Sequence, residues 1–349
     1  MQQNKSENKS IQTHFAQTYL QGKKADIKIG DFIKVSFNSN YGQRNNAKSV
    51  YKTATFIFVL ALFSLISCKI FQKTSTNLNK TKWISGSNNC KENKDALIQV
   101  VRYNDNTFIL RQNKCTNYEA PFLFLFLGNK KALLMDTGAT EDESQFPLYE
   151  TVKKLIIQWE KEVKNPIELI VAHTHAHSDH TAGDIQFKNK PSTVILGLEV
   201  GDITSYFKME NWPIQNGQID LGNRVIEIIP IPGHQQASIA LYDYSTKILL
   251  SGDSFYPGRL YVRDWSAYKL SIQRLVDFAD VHQISYILGN HIEMTNTDGK
   301  DYPTGTTYQP AEHILPLTLK DLLELNKALQ VAGDIPKYEI HKNFIIYPK

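Results

Sequence analysis

The sequence predicts an α/β fold in which two mixed β-sheets pack face to face and helices cover their outer surfaces. Predicted strands come in groups that alternate with helices, which is the order expected of that architecture. Several strands lead into loops that carry His or Asp, so a functional site is expected at one edge of the sheets. The composition, 42% hydrophobic and 21% charged, is typical of a folded globular protein.

The first part of the predicted domain combines strands with one amphipathic helix. Residues 148–163 are predicted to be helical because apolar residues recur at helical spacing, and we assign their stripe to the core. The members of the stripe are Val152, Leu155, Ile156 and Trp159. The predicted strands of this part are residues 96–112, 121–127, 132–135 and 167–172.

The second part continues the alternation of strands and helices. Two further helices are predicted, at residues 265–282 and 317–331. Strands are predicted at residues 192–196, 224–229, 239–244, 247–251 and 285–288, with a last one near 338–347. We therefore expect one domain over residues 96–349.

The most informative motif is His175-Ala176-His177-Ser178-Asp179-His180, which places four metal-capable side chains within six residues. At the end of a strand, His175 and His177 point the same way because they are two residues apart. Asp179 and His180 then turn towards a second, adjacent position. A merely His-rich polar loop is disfavoured, because the chain has only ten His in 349 residues. One loop can thus begin two neighbouring metal sites.

This motif resembles that of the metallo-beta-lactamase superfamily, and three later features of that family follow in order. His234 comes after Ile231-Pro232-Gly233, Asp253 ends an apolar run at Gly252, and His291 follows the run 286–290. An early strand and turn, residues 132–138, also resembles the family pattern. The resemblance spans about residues 97–300 and implies the αββα sandwich of that family.

The resemblance also implies a site for two divalent metal ions. One ion would be held by His175, His177 and His234, the other by Asp179, His180 and His291, and Asp253 would bridge them. Zinc suits this nitrogen and oxygen ligand set, and iron or manganese is the alternative. A hydroxide between the ions would attack a carbonyl carbon, with Asp179 as the catalytic residue that orients it.

Other side chains near the motif are candidates for supporting roles. Asp136 is expected to hydrogen-bond a ligand His or brace the motif loop, because metal-bound imidazoles usually need such a partner. A turn aspartate before Thr137-Gly138 is the alternative. Ser238 is expected to steady the loop of His234. Glu293 either reaches the site or is a solvated loop carboxylate. His173 is expected to be a satisfied core histidine rather than part of the pocket.

The segment after Asp253 is expected to lie over the metal site. Tyr256 or Tyr261 is a candidate to donate a hydrogen bond to a carbonyl oxygen, and Arg259 or Arg263 to pair with a substrate carboxylate. The equally weighted alternative is that the tyrosines only pack within the loop and the arginines are solvated. A Gly/Pro-marked loop at residues 302–310 could cap the pocket.

The N-terminal 68 residues are predicted to direct export. The apolar run 53–68 follows Lys48 and Lys52 and, at sixteen residues, is short for a membrane span but suits a signal-peptide core. It ends in Leu65-Ile66-Ser67-Cys68, which resembles a bacterial lipobox with Cys68 as the lipidated residue; an uncleaved anchor helix is the alternative. Residues 69–95 are predicted to form a flexible tether. The domain is thus expected to be periplasmic or at the cell surface, attached to a membrane.

Two further observations restrict the partners. Residues 1–52 carry nine Lys/Arg against three Asp/Glu, whereas the rest of the chain carries thirty against thirty-two. The domain is therefore not basic, and no nucleic-acid partner is expected. Cys90 and Cys115 either pair in an oxidising compartment or stay free.

The resulting hypothesis is an exported dinuclear metallohydrolase that acts on the carbonyl of a lactone, an ester or a thioester. A class B beta-lactamase is one alternative, although the carboxylate at position 253 and the absence of Cys from the ligand set count against it. A metal-binding lipoprotein without catalysis is the other. The small-molecule substrate itself depends on loops that the sequence does not orient.

Overall fold

The computed structural model describes residues 75–349. The first sheet contains β1 (Ile98–Asn104), β2 (Thr107–Gln112), β3 (Phe122–Leu127), β4 (Lys131–Met135), β5 (Glu168–Ala172) and β6 (Thr193–Ile195), paired in that order. Its first four strands are antiparallel, and β5 and β6 continue it in parallel, so the sheet is mixed.

The second sheet has the strand order β13-β12-β10-β9-β8-β7 and is also mixed. Its strands are β7 (Gly217–Asp220), β8 (Val225–Pro230), β9 (Ile239–Asp243), β10 (Ile248–Gly252), β12 (Tyr286–Gly289) and β13 (Pro316–Leu317). A third, small sheet joins β11 (Arg259–Val262) to β15 (Ile345–Pro348), which pairs in turn with β14 (Glu339–Ile340).

Five α-helices and three short 3-10 helices complete the described chain. The α-helices are α1 (Leu148–Val163), the short α2 (Ser178–Thr181), α3 (Val200–Phe207), α4 (Trp265–Val281) and α5 (Leu319–Ala332). The last of these begins at a capping box, in which Thr318 and Asp321 satisfy each other's backbone N–H groups.

Side chains alternate across the strands and sort into three apolar layers. Phe124 and Phe126 of β3 face the second sheet, where they pack in one cluster with residues of β8, β9 and β10. Leu123 and Leu125 of the same strand face α1. The outer face of the second sheet packs against α4 and α5. The predicted fold class, two mixed sheets face to face with helices outside, is confirmed.

Several element boundaries differ from those predicted. The strand predicted at 96–112 is a hairpin, because the chain turns at residues 105–106, where Asn104 accepts a hydrogen bond from the backbone of Asn106. The strand predicted at 338–347 is likewise two strands. The prediction missed α3, β7, β11 and β13, which are all short. The strands β11 and β13 also pair with segments that are distant in the sequence.

Residues 75–95 differ from the flexible tether expected over 69–95. Leu78 is fully buried in the layer between the two sheets, and the Trp83 ring contacts that of Phe122 edge to face at 4.8 Å. Cys90 forms a disulfide with Cys115. Two apolar side chains and one crosslink thus hold this polar segment against the domain.

The predicted export signal, including Cys68, lies outside the described residues. Within residues 75–349, no helix has the length and apolarity that a membrane span requires.

Candidate metal centre and active site

The predicted ligands lie on four loops at one edge of the two large sheets. Residues 173–180 follow β5, and His234 lies between β8 and β9. Asp253 and His291 follow the ends of β10 and β12. Because β10 and β12 are parallel, their carboxyl ends meet at the same edge, which brings these two residues together.

The first three predicted ligands converge through ring nitrogens. His177 Nδ1 lies 2.9 Å from His175 Nε2 and 3.0 Å from His234 Nε2. A ring nitrogen is either one donor or one acceptor, so three mutually facing nitrogens cannot all be satisfied by hydrogen bonds among themselves.

A second group lies beside the first. Asp179 Oδ2 is 3.3 Å from both His180 Nε2 and His291 Nε2, and those two nitrogens are 3.3 Å apart. The buried carboxylate of Asp253 belongs to this group, and all its ligand atoms lie within 4.8 Å of one another.

Asp253 also reaches the first group. Its Oδ2 is 3.5 Å from the Nε2 atoms of His180 and His291, and 4.0 and 3.9 Å from those of His175 and His234. Its Oδ1 is buried without a hydrogen-bond partner among the described residues. The carboxylate is therefore placed to serve both groups.

These residues fit divalent metal ions. Nitrogen ligands 2.0–2.1 Å from a tetrahedral zinc ion lie about 3.3 Å apart, close to the observed separations. The unpaired Asp253 Oδ1 is a buried acceptor that a cation would satisfy. The donors are imidazole and carboxylate, which suit zinc, iron and manganese.

Backbone carbonyls fix the orientation of two of the rings. His234 Nδ1 donates to the Tyr261 carbonyl at 2.8 Å, and His291 Nδ1 donates to the Glu119 carbonyl at 3.1 Å. Each bond leaves the lone pair on Nε2, directed at the site. The role of Glu119 was not predicted, because 172 positions separate it from His291.

Asp136 connects the ends of three strands beneath the site. It accepts hydrogen bonds from Thr174 N at 2.8 Å and Asn290 Nδ2 at 2.7 Å, and its Oδ2 is 3.4 Å from His180 Nδ1. It is fully buried, with φ of 68°, a conformation that Asp adopts more readily than most residues. This placement agrees with the bracing role expected from the sequence.

Electrostatics distinguish the two groups. Burial lowers the pKa of His175 well below its ordinary value and that of His234 to about 4. Burial acts in the same direction on His180 and His291, but Asp253 and Asp179 outweigh it. The pKa of His180 therefore rises well above its ordinary value, and that of His291 rises to about 9. The second ligand group, which contains both carboxylates, thus strongly favours a positive charge among its side chains.

Ser238 and His173 are both held by hydrogen bonds within the protein. Ser238 Oγ accepts from the Gln235 backbone at 3.2 Å, which closes the loop that carries His234. His173 Nε2 bonds to Asp184 Oδ1 at 2.9 Å, so it is a core histidine with a carboxylate partner.

Arg259 is not free to pair with a substrate. Its guanidinium donates to Glu293 at 2.7 Å, to Asp301, to the Tyr302 carbonyl and to the hydroxyl of Tyr261. Glu293 reaches the pocket wall, but it is paired with this arginine and is not a solvated loop residue.

Tyr256 is also engaged within the protein. It is buried in the cavity wall, and its hydroxyl donates to the Arg259 carbonyl at 2.6 Å, so that hydroxyl is not free to donate to a substrate carbonyl. Tyr261 remains half-buried at the site.

A cavity of about 140 Å³ opens onto the two ligand groups. Its wall includes Tyr261 and Arg263, and also Lys349, which the sequence analysis missed. Among the described residues that line it, none comes from the loop 302–310, so this loop does not cap the cavity. Tyr302 instead supports Arg259 behind the wall.

Known proteins resemble this chain. Residues 121–327 match the family model of the metallo-beta-lactamase superfamily. Acyl-coenzyme A thioesterase MBLAC2 of Homo sapiens is 27% identical over 214 residues, 51% of this chain and 74% of that protein. The Gallus gallus protein of the same name is 26% identical over 206 residues, 49% of this chain and 72% of its own length.

A bacterial protein and a solved structure are more distant. Hydroxyacylglutathione hydrolase of Rhodospirillum rubrum is 27% identical over 94 residues, 26% of this chain and 36% of that protein. A metallo-beta-lactamase structure from Pontibacter korlensis has 17% identity and a TM-score of 0.43, covering 67% of this chain and 99% of its own. Because the family model matches more than half of the sequence, the chain belongs to the metallo-beta-lactamase superfamily of metal-dependent hydrolases.

Proposed function

We propose that the chain is an exported dinuclear hydrolase that cleaves a small-molecule thioester, with esters and lactones as related substrates. The position of Asp253 carries this proposal. Its Oδ2 lies within 4.0 Å of histidine nitrogens from both ligand groups, which is where a shared ligand of two ions must sit. Zinc is the proposed metal, with iron or manganese as the alternative.

We assign the ligands to the two ions according to these two groups of side chains. His175, His177 and His234 would hold one ion, Asp179, His180 and His291 the other, and Asp253 both. When bound, the ions supply Lewis acidity, which activates water and polarises a substrate carbonyl.

Asp179 is the proposed catalytic residue because it combines charge with access to the cavity. Burial opposes its ionisation, but His180 and His291 outweigh this effect and hold its pKa well below the ordinary value. Its side chain remains 23% exposed and lines the cavity. The ionised carboxylate can orient a water molecule and take up its proton.

The choice of thioesters rests on the relatives. The names acyl-coenzyme A thioesterase and hydroxyacylglutathione hydrolase both describe removal of an acyl group from a thiol carrier. The carboxylate at position 253 still counts against the beta-lactamase alternative, in which a thiolate is expected at the second metal. A panel of thioesters, lactones and beta-lactams would rank these substrates directly.

The test uses the full-length protein. Elemental analysis is expected to find about two divalent ions per chain, and a generic acyl thioester is expected to be hydrolysed. Asp179→Asn should lower kcat by about 10²- to 10⁴-fold, the range for loss of an acid–base group. Asp298→Asn is the matched control, because that carboxylate is 69% exposed and, within residues 75–349, pairs only with Lys342. Undiminished turnover in Asp179→Asn, or a protein without metal, would contradict the proposal.

Export to the periplasm or cell surface is part of the same proposal. The disulfide between Cys90 and Cys115 supports an oxidising compartment. Cell fractionation should find the wild-type protein with membranes, and Cys68→Ser should prevent lipid attachment and shift the mass of the processed chain. A cytosolic wild-type protein would contradict export.

A further inference from the structure

Two basic side chains stand at the mouth of the metal-site cavity. Arg263 and Lys349 are the only lysine or arginine among the described residues that line it. Both are exposed, so their charges face solvent at the entrance rather than the core. They lie 86 positions apart in the sequence, and the fold brings them together.

The pairing of β11 with β15 explains their proximity. The two strands are parallel, with Val262 opposite Pro348. The Lys349 backbone N–H then donates to the Val262 carbonyl at 2.8 Å, so the pairing extends one residue further. Arg263 and Lys349 therefore stand opposite each other at the end of the two strands.

Neither side-chain charge is paired with a carboxylate side chain. Within residues 75–349, no ion pair involves Arg263 or Lys349. Asp264, next in sequence to Arg263, instead caps α4 by accepting from Ala267 N at 2.9 Å. The Lys349 ammonium lies over the Tyr261 ring, 3.8 Å from its centroid, which holds it at the cavity wall.

The carboxylate side chains that line the cavity are engaged elsewhere. Asp179 and Asp253 belong to the metal ligands, and Glu293 is paired with Arg259. Glu119 lies near the Tyr118 hydroxyl and pairs with neither cation. Like charges opposite each other on neighbouring strands are unfavourable. An anion placed between them would relieve this repulsion.

We propose that Arg263 and Lys349 form an anion subsite that binds a carboxylate or phosphate group of the substrate while its carbonyl lies at the metal ligands. This inference rests on the proposed function and narrows it to anionic thioesters. The guanidinium offers a planar fork and the ammonium a mobile point charge, a combination that suits either oxyanion.

Three pairs of thioesters test which part of the substrate carries the anionic group that the subsite binds. The two members of each pair differ by one anionic group. Acetyl-N-acetylcysteamine and acetyl-N-acetylcysteine test a carboxylate on the thiol. Acetyl-pantetheine and its 4′-phosphate test a phosphate there. Butyryl- and succinyl-N-acetylcysteamine test a carboxylate on the acyl group. The full-length, metal-loaded protein is expected to prefer the anionic member of at least one pair in kcat/KM.

The variants Arg263→Gln and Lys349→Met should each reduce that preference by about 3- to 10-fold, mainly through KM, as expected for an exposed charge-assisted contact. The controls are Arg102→Gln and Lys342→Met, whose side chains are 62% and 63% exposed and lie outside this cavity. These controls should keep the wild-type preference.

A second measurement separates this inference from the proposed function. Calorimetry with uncleavable analogues measures binding without turnover. For the thiol side, the analogues are the S-methyl thioethers of N-acetylcysteine, N-acetylcysteamine and the two pantetheines. For the acyl side, they are the ketone analogues of butyryl- and succinyl-N-acetylcysteamine. Tighter binding of an anionic analogue, lost in both variants, supports the subsite even if no thioester is cleaved. Equal kcat/KM and equal binding within every pair, or a preference that both variants retain, would overturn the subsite while leaving thioester hydrolysis intact.

Discussion

Replacing Asp136 with Asn tests how the protein supports its metal centre. The side chain is fully buried, and its carboxylate accepts from Thr174 N at 2.8 Å, Thr174 Oγ1 at 3.0 Å and Asn290 Nδ2 at 2.7 Å. Asn has nearly the same shape and also tolerates the positive φ of this position. The substitution therefore changes the hydrogen bonding and leaves packing and backbone nearly untouched.

The expected cost follows from those three donors. An amide offers one acceptor oxygen, and its NH₂ group must face at least one of the donors that the carboxylate now satisfies. An unsatisfied buried group costs about 1–3 kcal/mol, and the remaining bonds lose their charge assistance. We expect Asp136→Asn to lower the free energy of unfolding by about 2–4 kcal/mol and the Tm by about 3–7 °C.

Metal affinity should fall as well, because Asp136 Oδ2 lies 3.4 Å from Nδ1 of the predicted ligand His180. Loss of such a partner typically costs about 10- to 100-fold in affinity. Thermal unfolding and competition with a chromophoric chelator measure the two effects. Asp184→Asn is the control, since Asp184 bonds to Thr137 and His173 but to none of the predicted ligands. A Tm within 2 °C of wild type, with unchanged affinity, would refute the bracing role.

Three other outcomes can be checked by unfolding experiments. Leu78→Ala should destabilise the protein by about 2–4 kcal/mol, because the side chain is fully buried, whereas the 42% exposed Leu97→Ala should change stability by less than about 0.5 kcal/mol. Reducing the disulfide, or Cys115→Ser, should cost about 3 kcal/mol for a closed loop of this length; equal urea midpoints with and without reductant would contradict this. Burial, and after it repulsion from Arg111, lowers the pKa of Lys114 from 10.5 to about 8. At this side chain the unfolded state thus binds more protons between these pH values, so the stability of wild type relative to Lys114→Met should rise by about 3 kcal/mol as pH increases from 8 to 10.5. Urea midpoints of both proteins at both pH values measure this difference, and a difference that stays constant would contradict the contribution of Lys114.

The sequence predicted which candidate side chains would converge, in part because the information in the motif is local. The 175–180 motif needs only the alternation of a strand end and one turn to direct its side chains. His234, Asp253 and His291 were placed by resemblance to a family, and each follows an apolar run that forms a strand of the second sheet. The αββα order was equally accessible, since it depends on the succession of strands and helices.

The N-terminal segment shows why composition alone misled. Many polar residues in 69–95 suggested a tether, but Leu78 and Trp83 are enough to anchor the described part of it. An average over a segment conceals single apolar residues, and a disulfide partner cannot be identified from spacing. The disulfide between Cys90 and Cys115 is therefore evident only from the fold.

The third sheet decides which side chains meet a substrate, and here the sequence held a signal that was overlooked. Residues 259–263 alternate polar and apolar, with Leu260 and Val262 buried beneath the sheet, so a strand was predictable there. Arg259, Tyr261 and Arg263 then share one face. What alternation cannot supply is the partner strand. The pairing with residues 345–348 sets Lys349 beside Arg263, while Glu293 and Asp301 occupy Arg259. Arg259 and Arg263 thus look alike in the sequence but differ in role. Arg259 braces the wall, whereas Arg263 is exposed at the entrance. The sequence does not show this difference, because the residues beside them in the fold lie 34 to 86 positions away.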